Sequence, residues 1–243
     1  MRIVLIGGGD VGTTDNSPYN LKEIDETIVK LTGKAHPRIL FFGFTERANF
    51  TFGAMKKNFM ALGAQCEYLS YRDFLNTKTI ESKFKRADAI YIGGGNTLTF
   101  MRDIKKYQLD IYLKDALERN VILCGRSAGA ICFSKFGSSD ARKFKDNENK
   151  FVKVKGLGFI NALFCPHFNS KERRNDLKRM LNSVKEVAIS ATNCAAIVIQ
   201  NEDYYIVKSS KNAKVFKCYY KNQKYFETEL NKNGKLVELL QKM

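Results

Sequence analysis

Residues 121–133 read Val-Ile-Leu-Cys-Gly-Arg-Ser-Ala-Gly-Ala-Ile-Cys-Phe, and they are the most informative part of the sequence. A short apolar run ends at Gly125 and an Ala-Gly-Ala segment follows Ser127, so the pattern predicts a buried strand that turns sharply into a helix. Such a turn projects the serine hydroxyl above the edge of the sheet. The helix N-terminus behind it presents backbone N–H groups, first that of Ala128, which suit a developing oxyanion. The stretch therefore predicts an α/β fold with a nucleophilic serine, and the alternative is a purely structural turn.

The first half of the chain repeats the same order of strand, glycine turn and helix. Short apolar runs at residues 2–6, 38–42, 67–69 and 89–92 have the length of buried strands. Between them, apolar residues recur at helical spacing, so that strands alternate with helices. Strands this apolar are typical of a parallel sheet that helices cover on both faces. The predicted fold class is therefore α/β, with three α/β/α layers and a mostly parallel central sheet.

The pattern changes in the second half. Residues 137–150 are polar and charged, and we expect a surface loop there. Three closely spaced runs rich in β-branched residues follow at 187–189, 195–199 and 204–207, and they predict antiparallel strands added in the C-terminal third. Since neither a repeat nor a low-complexity linker divides the chain, we expect one domain over residues 1–243.

A serine needs a base to become a nucleophile, and the sequence offers two histidines. His36 lies in a loop before a strand and is typical of a surface histidine. His167 lies in Phe-Cys-Pro-His-Phe, directly after a short apolar run, where parallel-sheet enzymes carry their reactive loops. His167 is therefore the candidate general base.

A third group should orient the imidazole, and here the sequence leaves alternatives open. Asp140 follows the predicted nucleophile helix and supplies a carboxylate. The turn at Thr192 and Asn193 offers a hydroxyl and an amide but no carboxylate. Glu172 is a weaker candidate. We take Asp140 as the better of these, with a solvated loop residue as the alternative.

The glycine-rich loops are the next candidates. Gly94 and Gly95 follow the fourth strand, where bare backbone can approach a ligand, and we expect one of them to donate an N–H to the oxyanion beside Ala128. The alternative is a tight strand-to-helix turn in which Asn96 or Thr97 caps the helix. The run of three glycines at residues 7–9 lacks the G-x-G-x-x-G spacing of a dinucleotide site.

Composition excludes several classes of protein. No apolar run reaches the roughly 20 residues that cross a bilayer. The six cysteines form no C-x-x-C pair and no zinc or disulfide pattern, so we expect buried free thiols in a reducing, cytoplasmic compartment and no metal. The net charge is +16, from 41 Lys and Arg against 25 Asp and Glu, but the positive residues are scattered. We interpret their densest runs, 171–174 and 217–224, as solvated surface and do not expect nucleic-acid binding.

Together these motifs resemble peptidase family S51, the group of dipeptidase E and cyanophycinase. The resemblance rests on the N-terminal strand with its three glycines, the Gly-Gly-Gly-Asn-Thr loop at 93–97, the elbow around Ser127, the Val-Lys-Gly-Leu-Gly run at 154–158 and the segment around His167, in that order. It spans the chain to about residue 210. It implies a fold related to class I glutamine amidotransferases, with serine in place of their cysteine, and hydrolysis of peptide bonds without a metal or cofactor.

The resemblance also implies roles and one departure. The family serine falls on Ser127 and the family histidine on His167, whereas Thr192 and Asn193 stand where many members carry an acidic residue. Arg126 lies inside the elbow, and its charge would suit a substrate carboxylate, since known dipeptidases of the group prefer N-terminal aspartate; the alternative is that its side chain faces solvent. We therefore expect a serine peptidase acting on dipeptides or short peptides, with no membrane partner, and leave a homodimer open. The alternative is a non-catalytic binding or stress-response member of the same superfamily.

Overall fold

The computed structural model describes residues 1–12, 18–43, 48–142 and 151–242. In the second helix, which begins at residue 48, side chains are described from residue 51 onward. Its strands in chain order are β1 (Arg2–Ile6), β2 (Arg38–Phe42), β3 (Gln65–Tyr68), β4 (Ala89–Ile92), β5 (Ile122–Arg126), β6 (Ser134–Ser139), β7 (Val152–Lys155), β8 (Ile160–Cys165), β9 (Ala188–Ala191), β10 (Ala195–Gln200), β11 (Asp203–Lys208), β12 (Val215–Lys221), β13 (Lys224–Glu229) and β14 (Gly234–Lys235). Its helices are α1 (Lys22–Thr32), α2 (Ala48–Ala61), α3 (Thr77–Arg86), α4 (Thr97–Lys106), α5 (Leu109–Glu118), α6 (Ala128–Phe133), α7 (Lys171–Leu181) and α8 (Leu236–Leu240).

The central sheet has eight strands in the order β14-β11-β10-β1-β5-β4-β2-β3. Neighbouring strands from β1 to β3 are parallel, whereas β10, β11 and β14 are added antiparallel. The register pairs Ile6 with Arg126 and Gly125 with Ile92, so β1, β5 and β4 end at one level. The loops that follow these strands therefore meet at one edge of the sheet, which is where α/β proteins bind ligands.

Helices cover both faces of the central sheet, which confirms the three-layer α/β prediction. On one face, Ile24 and Ile28 of α1 and Met55 and Phe59 of α2 pack against alternate strand residues. On the other face, α3, α4, α5 and α6 pack their apolar residues against the remaining set. The three adjacent strands β1, β5 and β4 thus bury both faces, as their apolar sequences predict. Among the described helices, none is both long and apolar enough to cross a membrane.

A second sheet of six strands lies beside the first, in the order β13-β12-β9-β8-β6-β7. Its strands β6, β8 and β9 run parallel, and its outer strands are antiparallel. Phe164 and Ile189 of this sheet belong to the same apolar cluster as Leu5 and Leu123 of the central sheet. On the opposite side, Leu177 and other residues of α7 pack against the second sheet. The second sheet therefore fixes β8, and the loop after it, against the central sheet.

Three expectations about local structure need correction or comment. Residues 137–139 are not loop but the end of β6, and Ser138 and Ser139 are buried there; residues 143–150 lie outside the described part of the chain.

The two basic runs are not purely solvated surface, because Arg173 is 4% exposed and Lys217 is 2% exposed. The Lys217 ammonium donates to the carbonyl of Glu238, 2.6 Å away, which satisfies the buried charge in part. The expected free thiols are confirmed, with five of the six cysteines buried and Cys66 half-buried.

Candidate active site

Ser127 stands at the turn between β5 and α6. Its backbone has φ 53° and ψ −111°, a conformation that costs free energy for a residue with a side chain. Its amide donates to the carbonyl of Ile6, 2.9 Å away, at the end of the neighbouring β1. The turn is thus anchored to the central sheet, and the half-buried serine side chain projects from the edge of that sheet.

The glycines on either side of the serine are required by close packing. A Cβ at Gly125 would lie 2.4 Å from the backbone of Gly129, and a Cβ at Gly129 would lie 2.2 Å from the carbonyl oxygen of Ile92. Both distances are shorter than any real contact, so the strand-to-helix turn can close only with glycine at both positions. Close packing at these two positions is therefore the physical reason for the G-x-S-x-G pattern in this chain.

The loop after β4 lies on one side of the serine. A Cβ built at Gly94 would be 3.8 Å from the Cβ of Ser127, so this backbone approaches the serine directly. Asn96 caps α4, with its Oδ1 accepting from the amides of Leu98 and Thr99 at 3.0 and 3.2 Å. Its Nδ2 donates to the carbonyl of Ala141, 3.0 Å away. The capping alternative therefore holds for Asn96, while Gly94 and Gly95 remain free to present backbone to a ligand.

His167 lies on the other side of the serine. It follows β8 of the second sheet, and its amide donates to the carbonyl of Gly7, 2.8 Å away, just beyond the end of β1. Its backbone also takes a positive φ, of 51°. The imidazole Nε2 is 2.8 Å from the Oγ of Ser127, which is hydrogen-bond distance. Two residues forty positions apart are thus brought together where the two sheets meet.

The second ring nitrogen of His167 contacts Asn193. The distance from Nδ1 to the Oδ1 of Asn193 is 2.6 Å. Because an amide oxygen can only accept a hydrogen bond, Nδ1 carries the ring proton, and Nε2 accepts from the serine hydroxyl. Asn193 therefore holds the imidazole in the tautomer that a general base needs.

Asp140 does not lie behind the imidazole, contrary to the sequence-based expectation. Its Oδ2 accepts from the Nη2 of Arg173 at 2.9 Å, and the Nη1 of Arg173 donates to the carbonyl of Ser138, also at 2.9 Å. A guanidinium that is almost fully buried needs a negative partner, and the carboxylate at the end of β6 supplies it. Asp140 acts on His167 only through its charge, from beyond hydrogen-bond contact.

Two of the remaining candidates, Thr192 and Arg126, form hydrogen bonds with backbone groups, and the other two, Glu172 and His36, lie elsewhere. The Thr192 hydroxyl contacts the backbone of Lys214, donating to its carbonyl at 3.2 Å and accepting from its amide at 2.8 Å, so Thr192 shapes the turn that presents Asn193. The Nη1 of Arg126 donates to the carbonyl of Gly9, 2.7 Å away.

Glu172 is on the outer helix α7 and lines a separate surface cavity with Arg142. His36 contacts the carbonyl of Gly63, 3.0 Å away, in the loop before β2.

Burial sets the protonation of the candidate base. The pKa of His167 lies below its ordinary value, first because burial penalises the imidazolium and then because the Arg173 guanidinium repels it. The hydrogen bond to Asn193 and the charge of Asp140 act in the opposite direction. The ring is therefore neutral at pH 7 and able to accept a proton.

Gly8 is the site residue that sequence reasoning missed. A Cβ there would lie 2.4 Å from both the Oδ1 of Asn193 and the Cε1 of His167, at a φ of 146° that favours glycine. A Cβ at Gly7 would lie 2.3 Å from the carbonyl of Thr192. The glycine run at 7–9 thus gives the His167–Asn193 pair its space. The glycine run was visible in the sequence, but it served there only to exclude a dinucleotide site and to support the family resemblance, and neither use assigned Gly8 a place at the site.

A serine elbow, an adjacent glycine loop and an imidazole paired with the serine thus meet at one edge of a three-layer α/β fold. The sequence model of peptidase family S51 matches residues 3–207, and the chain belongs to that family. It is 28% identical over 214 residues to the uncharacterized peptidase YgaJ of Bacillus subtilis strain 168, a match that covers 87% of this chain and 88% of the relative. It is also 24% identical over 179 residues to the uncharacterized peptidase Lmo0363 of Listeria monocytogenes, covering 71% and 85%.

Solved structures show the same fold. A peptidase from an acI-B1 actinobacterium superposes with a TM-score of 0.67 at 18% identity, covering 96% of both chains. A protein of L. monocytogenes EGD-e that carries the provisional name peptidase E superposes with a TM-score of 0.63 at 18% identity, covering 86% of this chain and 98% of that one. The family assignment makes the protein a peptidase, and the fold prediction is confirmed.

Proposed function

We propose that this protein is a serine peptidase in which Ser127 is the nucleophile and His167 the general base. The single observation that carries the proposal is the 2.8 Å distance between the serine Oγ and the imidazole Nε2, on a ring whose other nitrogen is held by Asn193. The lowered pKa of His167 supports the same role, because the ring is then neutral when the substrate arrives.

The reaction would follow the usual course for acyl transfer. The Ser127 oxygen attacks the scissile carbonyl carbon while its proton passes to Nε2 of His167, which gives a tetrahedral oxyanion. The imidazolium then donates that proton to the leaving amine, and the C–N bond breaks. In the second half, His167 takes a proton from water, the hydroxide attacks the acyl-serine ester, and the serine recovers its proton as the ester breaks.

The backbone N–H groups of Ala128 and Gly94 are the proposed oxyanion donors, with Gly95 as the neighbouring alternative. Ala128 is the first residue of α6, so its amide has no acceptor within the helix. Gly94 approaches the serine from the opposite side, as the 3.8 Å separation of its built Cβ from the Cβ of Ser127 indicates. Two donors that converge on the attacked carbonyl are the arrangement that stabilises the transition state of acyl transfer.

The proposed substrates are dipeptides or short peptides. Support comes from the family and from the peptidase E name of one structural neighbour, and a preference for N-terminal aspartate is the finer prediction of that likeness. The same proposal gives the protein a cytoplasmic location and neither a nucleic-acid nor a membrane partner. Asn193 would act as a positioning residue in this scheme, since its Oδ1 contacts the imidazole.

The proposal is tested by labelling and turnover together. The wild-type protein should react with a fluorophosphonate probe at Ser127 and hydrolyse members of a dipeptide panel, and Ser127→Ala should do neither. Ser209→Ala, which removes a hydroxyl outside the site, is the matched control and should behave as wild type. A Ser127→Ala protein with full activity would refute the nucleophile assignment.

A second candidate function is that of a non-catalytic binding member of the family. One observation favours it: an exposed asparagine stands behind the imidazole where a carboxylate would bind the imidazolium more strongly. An asparagine in this position is nonetheless compatible with catalysis, because cysteine peptidases of the papain type use one. If the fluorophosphonate probe does not label Ser127 in the folded wild-type protein, the result would favour this second candidate.

A further inference from the structure

The glycine run at residues 7–9, the first glycine loop, holds parts of the site through its carbonyl groups. The Gly7 carbonyl accepts from the amide of His167 at 2.8 Å. The Gly8 carbonyl accepts from the amide of Cys194 at 2.9 Å. Glycine has little conformational preference of its own, so the contacts of this loop decide its course. The placement of the His167 imidazole therefore depends on what holds the first glycine loop.

The last carbonyl of this loop accepts from a side chain. The Nη1 of Arg126 donates to the carbonyl of Gly9 at 2.7 Å. The same guanidinium lies against the second glycine loop, residues 93–95, because its Nη2 is 3.5 Å from a Cβ built at Gly94. Arg126 is the last residue of β5 and immediately precedes Ser127. One side chain at the serine elbow thus contacts both of the glycine loops that flank the serine.

The guanidinium is enclosed on the helical side of the central sheet. Side chains alternate between the two faces of a strand, so Arg126 shares the face of Cys124, which packs with residues of α1 and α2. On that face it interacts electrostatically with the carboxyl group of Asp25, which is fully buried on α1. Its Nε is shielded from solvent and has no hydrogen-bond partner among the described residues. The half-buried side chain therefore extends beneath the glycine loops, where it is suited to fixing backbone.

We propose that Arg126 is a positioning residue, whose guanidinium fixes the first glycine loop and so places His167 against Ser127. The inference rests on the proposed function. Without the guanidinium, the Gly9 carbonyl loses its donor, and the loop shifts together with the imidazole that it holds. A misplacement of about 1 Å at a reacting group costs on the order of 10²-fold in rate. The loss should appear in kcat, whereas loss of a contact that only binds the substrate should appear in KM.

The test replaces Arg126 by methionine and by lysine. Arg126→Met removes the donor, and it should lower kcat for the best substrate of the dipeptide panel by about 10²-fold while KM changes by less than about threefold. Labelling of Ser127 by an uncharged fluorophosphonate should slow by a similar factor, because it needs the same imidazole but offers no carboxylate to bind. Arg126→Lys keeps a cationic donor, and both rates should stay within about tenfold of wild type.

Arg2→Met is the matched control. Arg2 lies at the opposite end of β1, where its Nη1 donates to the carbonyl of Leu31 at 2.7 Å, so it also ties backbone through a guanidinium. Its replacement should leave kcat and labelling unchanged. Circular dichroism and urea unfolding establish that each variant is folded. If Arg126→Met does not fold, Arg126→Gln takes its place, because the glutamine side chain is too short to reach Gly9 but offers an amide to its buried surroundings.

The outcomes separate the positioning role from the proposed function. Labelling of Arg126→Met at the wild-type rate, or a raised KM with unchanged kcat, would overturn the positioning role while hydrolysis by Ser127 stands. Equal losses in Arg126→Met and Arg126→Lys, or in Arg126→Met and Arg2→Met, would overturn it as well. A wild-type protein that is not labelled at Ser127 and hydrolyses no dipeptide would overturn the proposed function, and the positioning role would fall with it.

Discussion

The exposed turns and the candidate site both contain residues with positive φ, but of different kinds. In the two-residue hairpin between β12 and β13, Asn222 and Gln223 have φ values of 50° and 64°. Asparagine tolerates this conformation well, and the twist of a hairpin demands it. At the site, Ser127, His167 and Cys194 take φ values of 53°, 51° and 62°. Positive φ is uncommon for serine and cysteine, so their own side chains do not account for this conformation.

What holds the site residues in this conformation is hydrogen bonding to the first glycine loop. The amides of Ser127, His167 and Cys194 donate to consecutive carbonyls, those of Ile6, Gly7 and Gly8, at 2.9, 2.8 and 2.9 Å. One short segment after β1 thus fixes the three strained residues. Strain in the turns serves chain reversal, whereas strain at the site is imposed by the surroundings and aims side chains at one another.

The largest effect is expected at Ser127. Ser127→Ala should reduce kcat/KM by about 10⁴-fold or more, because it removes the nucleophile. Ser127→Gly should be equally inactive, yet it should be more stable than Ser127→Ala by about 1 kcal/mol, because glycine relieves the backbone strain. Peptide hydrolysis and urea unfolding measure the two quantities.

Asn222→Gly is the control for this comparison. Its free energy of unfolding should stay within about 0.5 kcal/mol of wild type, since asparagine already suits the turn. A Ser127→Gly protein less stable than Ser127→Ala would show that the serine turn carries no strain.

The next effect is expected at Gly8. Gly8→Ala puts a Cβ 2.4 Å from both Asn193 and His167, so the pair must separate. A misplacement of about 1 Å costs on the order of 10²-fold, and we expect kcat/KM to fall by about 10²- to 10³-fold. Gly53→Ala is the matched control, because a Cβ there meets nothing within 4 Å and should leave activity unchanged. Equal activities in the two variants would contradict the role of Gly8.

A smaller effect separates Asn193 from Asp140. Asn193→Ala should lower kcat by about 10²-fold, because the imidazole loses the acceptor that fixes its tautomer. Asp140→Asn should lower kcat less than tenfold, since the carboxylate contacts Arg173 and not the ring. A larger loss in Asp140→Asn than in Asn193→Ala would restore Asp140 as the orienting group.

The pH profile sharpens the same test. Since the pKa of His167 is lowered, kcat/KM of the wild type should fall on the acid side only below the ordinary histidine value of about 6.5. Asn193→Asp places a carboxylate against Nδ1 and should raise the pKa of His167, so that its acid limb moves to higher pH. An unchanged limb would mean that residue 193 does not contact the ring in solution.

Local patterns predicted the layers of the fold well and the second sheet poorly. The strand β5 and its neighbours β1 and β4 are apolar on both faces, so their sequences predict burial directly. The hairpin of β12 and β13 was missed because its lysine- and tyrosine-rich residues resemble exposed loop. Lys217 lies inside it with its ammonium on a distant carbonyl, a contact that no local pattern encodes.

The site divides in the same way. Ser127 and its two glycines form one contiguous motif whose packing is local, so the sequence was sufficient. The choice between Asp140 and Asn193 depended on Arg173, which reaches the end of β6 from a helix and lies 33 residues beyond Asp140 in the chain. Carboxylate chemistry favoured Asp140, but the demand of a buried guanidinium for that carboxylate is a property of the folded chain.

The last expected effect extends the comparison from backbone strain to buried charge. Asp25 of α1 is fully buried; its Oδ2 accepts from the Tyr19 hydroxyl and from the Nδ2 of Asn58 at 2.7 Å, and its Oδ1 lacks a partner among the described residues. Burial raises the pKa of Asp25 from 3.8 to about 7. The folded protein therefore holds a proton that the unfolded chain releases, and this contribution to stability is complete below pH 3.8.

The contribution is lost progressively as the pH rises from 3.8 through about 7, so the wild type should lose about 4 kcal/mol of stability relative to Asp25→Asn between pH 4 and 7.5. Asparagine cannot ionise, and its oxygen can still accept from Tyr19 and Asn58. Asp115→Asn, which removes an exposed carboxylate on α5, controls for the change in net charge and should not alter the slope. Urea unfolding at several pH values measures the difference. Parallel curves for wild type and Asp25→Asn would mean that Asp25 keeps its charge in the folded protein, and that Arg126 beside Ser127 is then neutralised from within the chain.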